Sequence, residues 1–314
     1  MNKFNNYTNV FYDSASAYKL EEVNEHIYLI KLFEIIKFKL STEFESFHFY
    51  ILFSHNHNVI PFSKAIKHEN KILFWFSEES GDFPSSLIND YKLIFKSYIK
   101  KEDKNVFSNP LGCVNEFFLS NVSTDCQKDI SLFFSGNLNP KRYNLYSLFF
   151  LKKYRFFKFL NLVSFPFYRF FFFKLRVYNL SIKRLNYVVL FSNKFKSGLS
   201  YNKYNIYLKR ANYVICPSGF QSNETFRHIE ALANNCIVIS EPMPDVSIYF
   251  ENPFLIFRNK LELKSIINDI ENNHINYQEI KTKHEKFYNN NFSLDSFSNN
   301  VVQKCKNIID CKIH

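Results

Sequence analysis

Apolar positions along the chain follow two patterns that alternate with each other. Between residues 20 and 40 they recur every three or four positions, which predicts an amphipathic helix. Elsewhere they form short runs rich in Phe, Ile, Val and Tyr, each closed by a polar loop, which predicts buried strands. Strands alternating with helices are typical of an α/β fold with parallel sheets. The predicted strands cover residues 47–53, 71–76, 92–97, 131–135, 187–191, 213–216, 236–240 and 254–257.

The predicted strands fall into two groups, and a polar run at residues 121–129 separates them. We therefore expect two Rossmann-like domains facing a cleft, over residues 1–125 and 126–314. Apolar residues at helical spacing between 293 and 309 predict a C-terminal packing helix, which this division assigns to the second domain. Helical patterns between strands of the second group cover residues 201–210 and 223–234.

The distribution of charge adds a feature that the apolar pattern does not show. The 314 residues are 46% apolar, which excludes a disordered chain, and their formal net charge is +11. The basic segment, residues 130–223, contains 16 Lys and Arg and no Asp or Glu. A compositional bias towards Lys adds cations everywhere, but it does not remove every acid from 94 consecutive positions. The basic segment therefore predicts an anionic partner.

Residues 150–176 are the most aromatic part of the basic segment, with seven Lys and Arg and ten Phe. Three interpretations stay open: the core of the second domain, an anionic bilayer surface, and single-stranded nucleic acid stacked on the rings. No RNP-like, KH or helix-turn-helix pattern accompanies the segment, which disfavours nucleic acid. Neither a spanning run nor a signal-peptide core occurs, so we expect a cytoplasmic protein at the inner face of the membrane.

Several familiar motifs are absent from the sequence. It contains neither GxxxxGK[ST] nor GxGxxG, which argues against P-loop NTPases and dinucleotide-dependent dehydrogenases. HExxH is missing, and the His and Cys residues lack ligand spacing, so no metal site is expected. The six Cys form no CxxC pair and are expected to be reduced and mostly buried.

A first candidate anion site follows the strand predicted at 131–135. Gly136 and Asn137 lead to a helix start at Pro140 and to Arg142. A glycine lets a ligand approach the backbone, a helix start offers unpaired N–H groups, and the planar fork of an arginine matches a phosphate.

A second candidate follows the strand predicted at 213–216, where a loop leads into a helix. Arg227 and Glu230 are three positions apart on this helix and therefore neighbours on one face. A surface ion pair is the alternative interpretation of that spacing. The candidate binding residues of the loop and the helix are Ser218, Gly219, Glu224, Thr225, Arg227 and Glu230.

The sequence Thr-Phe-Arg-His-Ile-Glu-Ala-Leu at 225–232 ends four positions before Cys236, where a Cys-Ile-Val strand begins. This block resembles the donor-site signature of exostosin-like glycosyltransferases, in which Ser-x-Arg-x-x-Glu-Ala-Leu precedes a Cys-Ile-Pro-Val-like strand. The Cys-Pro-Ser-Gly loop at 216–219 is similar to the Cys-Pro-x-Gly of that family. The resemblance covers residues 185–260, and it departs from the family at Thr225, which replaces Ser.

The resemblance implies a GT-B fold and a glycosyltransferase that uses a nucleotide-sugar donor, with no further cofactor and no metal. Arg142 and Arg227 would meet the diphosphate, together with N–H groups beyond Gly136 and Gly219. Glu230 would meet the hydroxyls of the ribose.

The resemblance also implies how the transfer is divided between the domains. Residues 1–125 would bind the acceptor, and residues 126–314 would bind the nucleotide sugar. Five residues separate Glu224 from Glu230, not the seven of the E-x7-E pattern of many retaining GT-B enzymes, which favours an inverting transfer. The expected acceptor is a surface glycan, lipid-linked, in polysaccharide biosynthesis.

An inverting transfer needs a general base for the acceptor hydroxyl. Glu78 and Glu79, in the acidic turn after the strand at 71–76, are candidates because neighbouring carboxylates raise each other's pKa. His55 and His57, after the preceding strand, are the alternative. A solvated polar loop is the alternative interpretation of both groups.

A different class of function also stays open. The basic segment could serve a non-catalytic module that binds a membrane or a nucleic acid, and such a module would show no response to nucleotides.

Overall fold

A computed structural model describes most of the chain and shows two compact units. The first unit comprises Met1–Phe118, Met243–Asn252 and Phe287–His314, and the second comprises Leu119–Pro242 and Pro253–Lys286. Each unit contains one sheet of six strands. The described residues are 2–3, 7–13, 23–53, 68–76, 78–82, 88–115, 117, 126–153, 179–182, 185–192 and 198–310.

Strands and helices alternate in both units, which confirms an α/β fold with two mostly parallel sheets. None of the helices within the described ranges is long and apolar enough to cross a membrane. The strands are β1 (Asn2–Lys3), β2 (Val10–Asp13), β3 (His48–Phe53), β4 (Lys71–Phe76), β5 (Leu93–Lys96), β6 (Val106–Ser108), β7 (Ile130–Asn137), β8 (Asn179–Ile182), β9 (Leu185–Ser192), β10 (Ala211–Cys216), β11 (Ile237–Ser240) and β12 (Leu255–Ile256). The helices are α1 (His26–Leu40), α2 (Tyr143–Lys153), α3 (Tyr201–Arg210), α4 (Phe226–Ala233), α5 (Lys260–Glu271), α6 (Tyr277–Asn291) and α7 (Leu294–Asp310).

In the first sheet, β2 to β6 are parallel neighbours in sequence order, and β1 pairs antiparallel at the edge. In β3 and β4 every residue after the first is buried. Since consecutive residues of a strand face opposite sides, both faces of the sheet are covered. The strands predicted at 47–53, 71–76 and 92–97 are confirmed as β3, β4 and β5, while the sequence pattern misses β1, β2 and β6.

Two helices of the first unit, α1 and α7, are joined by polar contacts. The Lys39 Nζ at the end of α1 forms an ion pair with Asp295 and donates to Asn299 Oδ1 at 2.8 Å. The predicted terminal helix is confirmed as α7, but it belongs to the first unit, not to the second domain assigned from the sequence. α1 begins at His26, later than the predicted start at residue 20.

The second sheet has the strand order β12-β11-β10-β7-β9-β8, and all its strands are parallel except β8 at the edge. The chain runs from β7 to β9 on one side and then crosses to β10 on the other side of β7. The direction of winding therefore reverses between β7 and β10. In open α/β sheets, ligands bind outside the carboxyl ends of the strands at such a reversal.

The remaining elements of the second unit follow the predictions in part. The strands predicted between 131 and 257 correspond to β7, β9, β10, β11 and β12, and the helix predicted at 201–210 is α3. α4 begins at Phe226, after the N-cap residue Thr225, so it is shorter than the predicted 223–234. The helix start predicted at Pro140 is a 3-10 turn over Pro140–Arg142 that leads into α2. The sequence pattern misses β8, α5 and α6. Of the Cys residues within the described ranges, Cys113, Cys216, Cys236 and Cys305 are buried and Cys126 is half-buried.

Candidate functional site

The carboxyl ends of β7 and β10 bring two arginines to one glycine. A Cβ added to Gly136 would lie 3.1 Å from Arg142 Nη1 and 3.1 Å from Arg227 Nη2, and 3.0 Å from the ring of Phe134. Only glycine fits this position without displacing a neighbour. The bare backbone of Gly136 thus lets two guanidinium groups, which are 85 residues apart in sequence, stand side by side.

Arg142 fastens the loop after β7 to the loop after β10. The side chain is 6% exposed, and its Nε and Nη2 donate to Ser218 O at 3.2 and 3.0 Å. Its Nη1 donates to Asn137 O at 3.0 Å and also to Asn137 Oδ1. Burial, and then the positive charge of Arg227, lower the pKa of Arg142 to about 9, against the opposing carboxylate of Glu241. The guanidinium is therefore still charged at neutral pH.

Among the described residues, Arg227 has fewer hydrogen-bond partners than Arg142. Its Nη2 donates to Ser135 O at 2.9 Å, and its guanidinium carbon lies 5.4 Å from the ring centroid of Phe134. Its Nε is buried and has no hydrogen-bond partner among the residues that the structure describes. A buried donor without an acceptor costs about 1–3 kcal/mol, so an anion that reaches this nitrogen recovers that energy.

Glu230 lies three residues after Arg227 on α4 and is 5% exposed. The hydroxyl of Tyr204, on α3, donates to Glu230 Oε2 at 2.7 Å. Burial, and then the charge of Glu230, raise the pKa of Tyr204 well above its ordinary value, so the tyrosine stays a neutral donor. Tyr204 thereby holds the carboxylate in a fixed orientation.

A neutral histidine fixes the start of α4 to the end of β11. The Thr225 N–H faces His228 Nδ1 at 3.2 Å, and His228 Nε2 lies 2.8 Å from Ser240 Oγ. The Ser240 hydroxyl donates in turn to Glu241 O at 2.8 Å. Burial lowers the pKa of His228 to about 3, which keeps the imidazole uncharged. Thr225, predicted as a binding residue, serves here as the N-cap of α4.

The loop after β10 holds the other predicted residues. The Ser218 N–H donates to Glu241 Oε2 at 2.6 Å, and the Ser218 hydroxyl donates to the same oxygen. The Gly219 N–H donates to Ser222 O at 2.8 Å and closes a turn. Glu224 is buried, and its N–H donates to Ser222 Oγ.

Gly136, Asn137, Arg142, Ser218 and Arg227 therefore form one cluster in the second unit, with Glu230 one helical turn beyond. Sequence reasoning misses two residues that belong to the site, Tyr204 and Glu241. Glu241 directly follows β11, so the rule that polar residues at strand ends face the ligand could have found it. Tyr204 gives no such signal.

The carboxylates predicted as general bases lie in the first unit. Glu78 is 2% exposed and pairs with the fully buried Lys96 at 2.9 Å, and it accepts from the Ser80 N–H at 2.8 Å. Burial raises the pKa of Glu78, but hydrogen bonds from Lys96 and Ser80 and the charge of Lys96 outweigh it and leave the pKa below its ordinary value. The expected rise in the pKa of Glu78 is therefore wrong. Glu79 is half-buried on the same turn.

His55 and His57, the alternative bases, lie outside the described residues. No three His, Cys, Asp or Glu side chains gather into a potential metal site within the part of the chain that the structure describes.

No family model matches the chain, and no curated protein sequence matches it. Among solved structures, the chain is similar to a glycosyltransferase from Rickettsia africae ESF-5. The two share 12% identical residues with a TM-score of 0.48, over 97% of this chain and 99% of that one. The resemblance to exostosin-like enzymes stays a prediction from the residues at 216–240.

Proposed function

We propose that the protein is a glycosyltransferase of the GT-B type, which transfers a sugar from a nucleotide-sugar donor to a glycan acceptor. The observation that supports this proposal is the pair of guanidinium groups beside Gly136, at the winding reversal of the second sheet. A nucleotide sugar presents a diphosphate, and two arginine forks at the carboxyl ends of parallel strands suit that group.

Arg142 and Arg227 have different roles in this proposal. Arg142 donates most of its hydrogen bonds to the loops after β7 and β10, so it shapes the site and adds its charge. Arg227 keeps a buried Nε for which the structure describes no acceptor, so it contacts the diphosphate directly. Glu230, oriented by Tyr204, accepts hydrogen bonds from the hydroxyls of the ribose.

In the proposed reaction, an acceptor hydroxyl oxygen attacks the anomeric carbon of the donor sugar, and the bond from that carbon to the diphosphate breaks. The electron pair leaves with the nucleoside diphosphate, whose developing charge Arg142 and Arg227 stabilise without a metal. A general base takes the hydroxyl proton, and attack opposite the leaving group inverts the configuration. The carboxylate of Glu78 is committed to Lys96, so Glu79, His55 and His57 are the bases we propose to test.

The proposed acceptor is a lipid-linked surface glycan, and the composition of the chain supports it. Residues 150–176 combine seven Lys and Arg with ten Phe and contain no acid. Such a segment suits the headgroup region of an anionic bilayer, where a lipid-linked acceptor resides.

The experiment that tests this function is a thermal-shift screen with UDP and GDP, followed by assay of nucleotide-sugar hydrolysis. A ligand at 100 times its dissociation constant adds about 2.7 kcal/mol to the stability of the protein that binds it. Arg227→Ala should lose the shift, because it removes the guanidinium that contacts the diphosphate. Arg210→Ala is the matched control, because Arg210 forms an exposed ion pair with Asp129 in the same unit.

Two outcomes would contradict the proposal. One is the absence of a shift with any nucleoside diphosphate or nucleotide sugar. The other is equal binding by Arg227→Ala and the wild type. Salt-sensitive binding of RNA or vesicles with no nucleotide response would instead favour a non-catalytic binding module.

A further inference from the structure

Glu241 holds a position in the second unit that a ligand anion would use. Its Oε2 accepts from both the N–H and the hydroxyl of Ser218, the residue that begins the turn after β10. A backbone N–H and a hydroxyl that point at one anionic oxygen are the donors that phosphate sites offer to a phosphate oxygen. In the structure, a carboxylate of the chain itself occupies those donors.

Ser218 lies between groups of opposite charge. The carbonyl oxygen of Ser218 accepts from Arg142, while its N–H and hydroxyl donate to Glu241. The Arg142 guanidinium stands beside that of Arg227 at Gly136. Glu241 thus supplies a negative charge next to two positive groups that would otherwise repel each other.

We propose that Glu241 competes with the diphosphate for the N–H and hydroxyl of Ser218, and that it returns to them when the nucleoside diphosphate leaves. This inference rests on the proposed function, because it names a residue that sets donor affinity and product release at the same site. Each N–H carries a single proton and two anions repel at hydrogen-bond distance, so the carboxylate and a phosphate oxygen exclude each other.

The side chain is suited to leave the position. Glu241 follows the last residue of β11, is half-buried, and is attached to the sheet through its backbone, whose carbonyl accepts from Ser240 Oγ. Rotation of its side chain therefore leaves the strand and the start of α4 in place. The competing interpretation is that Glu241 only positions Ser218, in which case its loss disorders the loop and weakens anion binding.

Two substitutions of Glu241 distinguish the two interpretations. In Glu241→Gln the side chain keeps an oxygen that can accept from Ser218 but loses its charge, and in Glu241→Ala both are lost. Competition predicts that both variants bind anions more tightly than the wild type. A positioning role predicts wild-type affinity for the Gln variant and weaker binding for the Ala variant.

The experiment measures binding of inorganic pyrophosphate and of UDP by calorimetry to the full chain, for the wild type and both variants. We expect dissociation constants about tenfold lower in Glu241→Gln than in the wild type, since a like charge at close range is removed. Stronger product inhibition by UDP should accompany this change. Glu285→Gln, which removes a half-buried carboxylate paired with Lys281 in the same unit, should bind as the wild type does.

Each outcome separates the inference from the proposed function. If the wild type binds pyrophosphate and UDP and both Glu241 variants bind them with equal or lower affinity, the inference is wrong and the proposed function stands. No binding by any of the proteins overturns both. Melting curves of each variant without ligand show whether it is folded, so that lost binding is not confused with unfolding.

Discussion

The buried ion pair between Glu78 and Lys96 allows a prediction whose size follows from the structure. Lys96 Nζ lies 2.9 Å from Glu78 Oε2, and the two side chains are 0% and 2% exposed. Lys96 also donates to two carbonyl oxygens, those of Glu78 and Ser97, and stands over the ring of Trp75 at 5.2 Å. Lys96→Met therefore leaves the carboxylate of Glu78 buried without its counter-charge.

Breaking a buried pair from one side costs about 3–5 kcal/mol, because the remaining charge keeps its desolvation penalty. For a unit of this size each kcal/mol moves Tm by about 2–4 °C, so Lys96→Met should lower Tm by about 6–20 °C. Replacing both partners with Met removes both charges and should restore most of the loss. The two substitutions are therefore strongly non-additive.

The pH dependence of the pair has a defined sign. The pKa of Glu78 is lower in the folded chain than its ordinary value, so ionised Glu78 stabilises the fold above about pH 4.3, the ordinary range of a glutamate. That stability is lost as the pH falls through the folded pKa. Glu78→Gln should lose this part of the acid sensitivity.

The assay is differential scanning calorimetry of the two single variants and the double variant, with Lys100→Met as the control. Lys100 forms an exposed pair with Asp82 on the neighbouring turn, which contributes little. Equal melting temperatures for Lys96→Met and the wild type would refute the reasoning. So would additive losses in the double variant. A loss of turnover in Glu78→Gln at unchanged stability would return Glu78 to the candidate bases.

Two further predictions concern the candidate site at Gly136 and the basic segment. Gly136→Ala places a methyl group about 3.1 Å from each guanidinium, so it should weaken UDP binding by about tenfold while Tm changes little. Unchanged UDP affinity would show that the close approach at Gly136 serves packing alone. In liposome flotation, the protein should bind anionic vesicles, and binding should weaken with salt and when the first four cations of residues 150–176 become Ser, since each engaged cation contributes about 1 kcal/mol. Equal recovery with neutral and anionic vesicles would contradict the electrostatic contribution.

The central strands, such as β3 and β4, could be predicted because parallel strands buried on both faces are continuous apolar runs. The helices α5 and α6 could not, because polar residues interrupt their apolar faces. α6 in particular is rich in Lys, Glu and Asn. Helices of this kind form through packing on the sheet, which a local pattern does not contain.

In the candidate site, residues could be predicted from the local sequence, but their partners from distant parts of the chain could not. Gly136, Ser218 and Arg227 could be found because Gly136 lies at the carboxyl end of β7 and the other two lie in or directly after the connection from β10 to α4. The partners of Glu78 and Glu230 could not, since Lys96 is 18 residues from Glu78 and Tyr204 is 26 residues from Glu230. The pKa of a carboxylate depends on such partners. The predicted rise in the pKa of Glu78 was wrong because Lys96, which the local sequence does not reveal as a partner, lowers it.

The return of the chain to the first unit limits how the protein can be cut and recombined. α7 is joined to α1 through Lys39 and Asp295, and Phe297 packs edge-on to Phe95 of β5 at 5.9 Å. A fragment that ends at the polar run 121–129 lacks these partners and leaves apolar surface of the first unit open to water. Moving the first unit into another chain therefore requires α7 together with the strands β2 to β6, although they are far apart in the sequence.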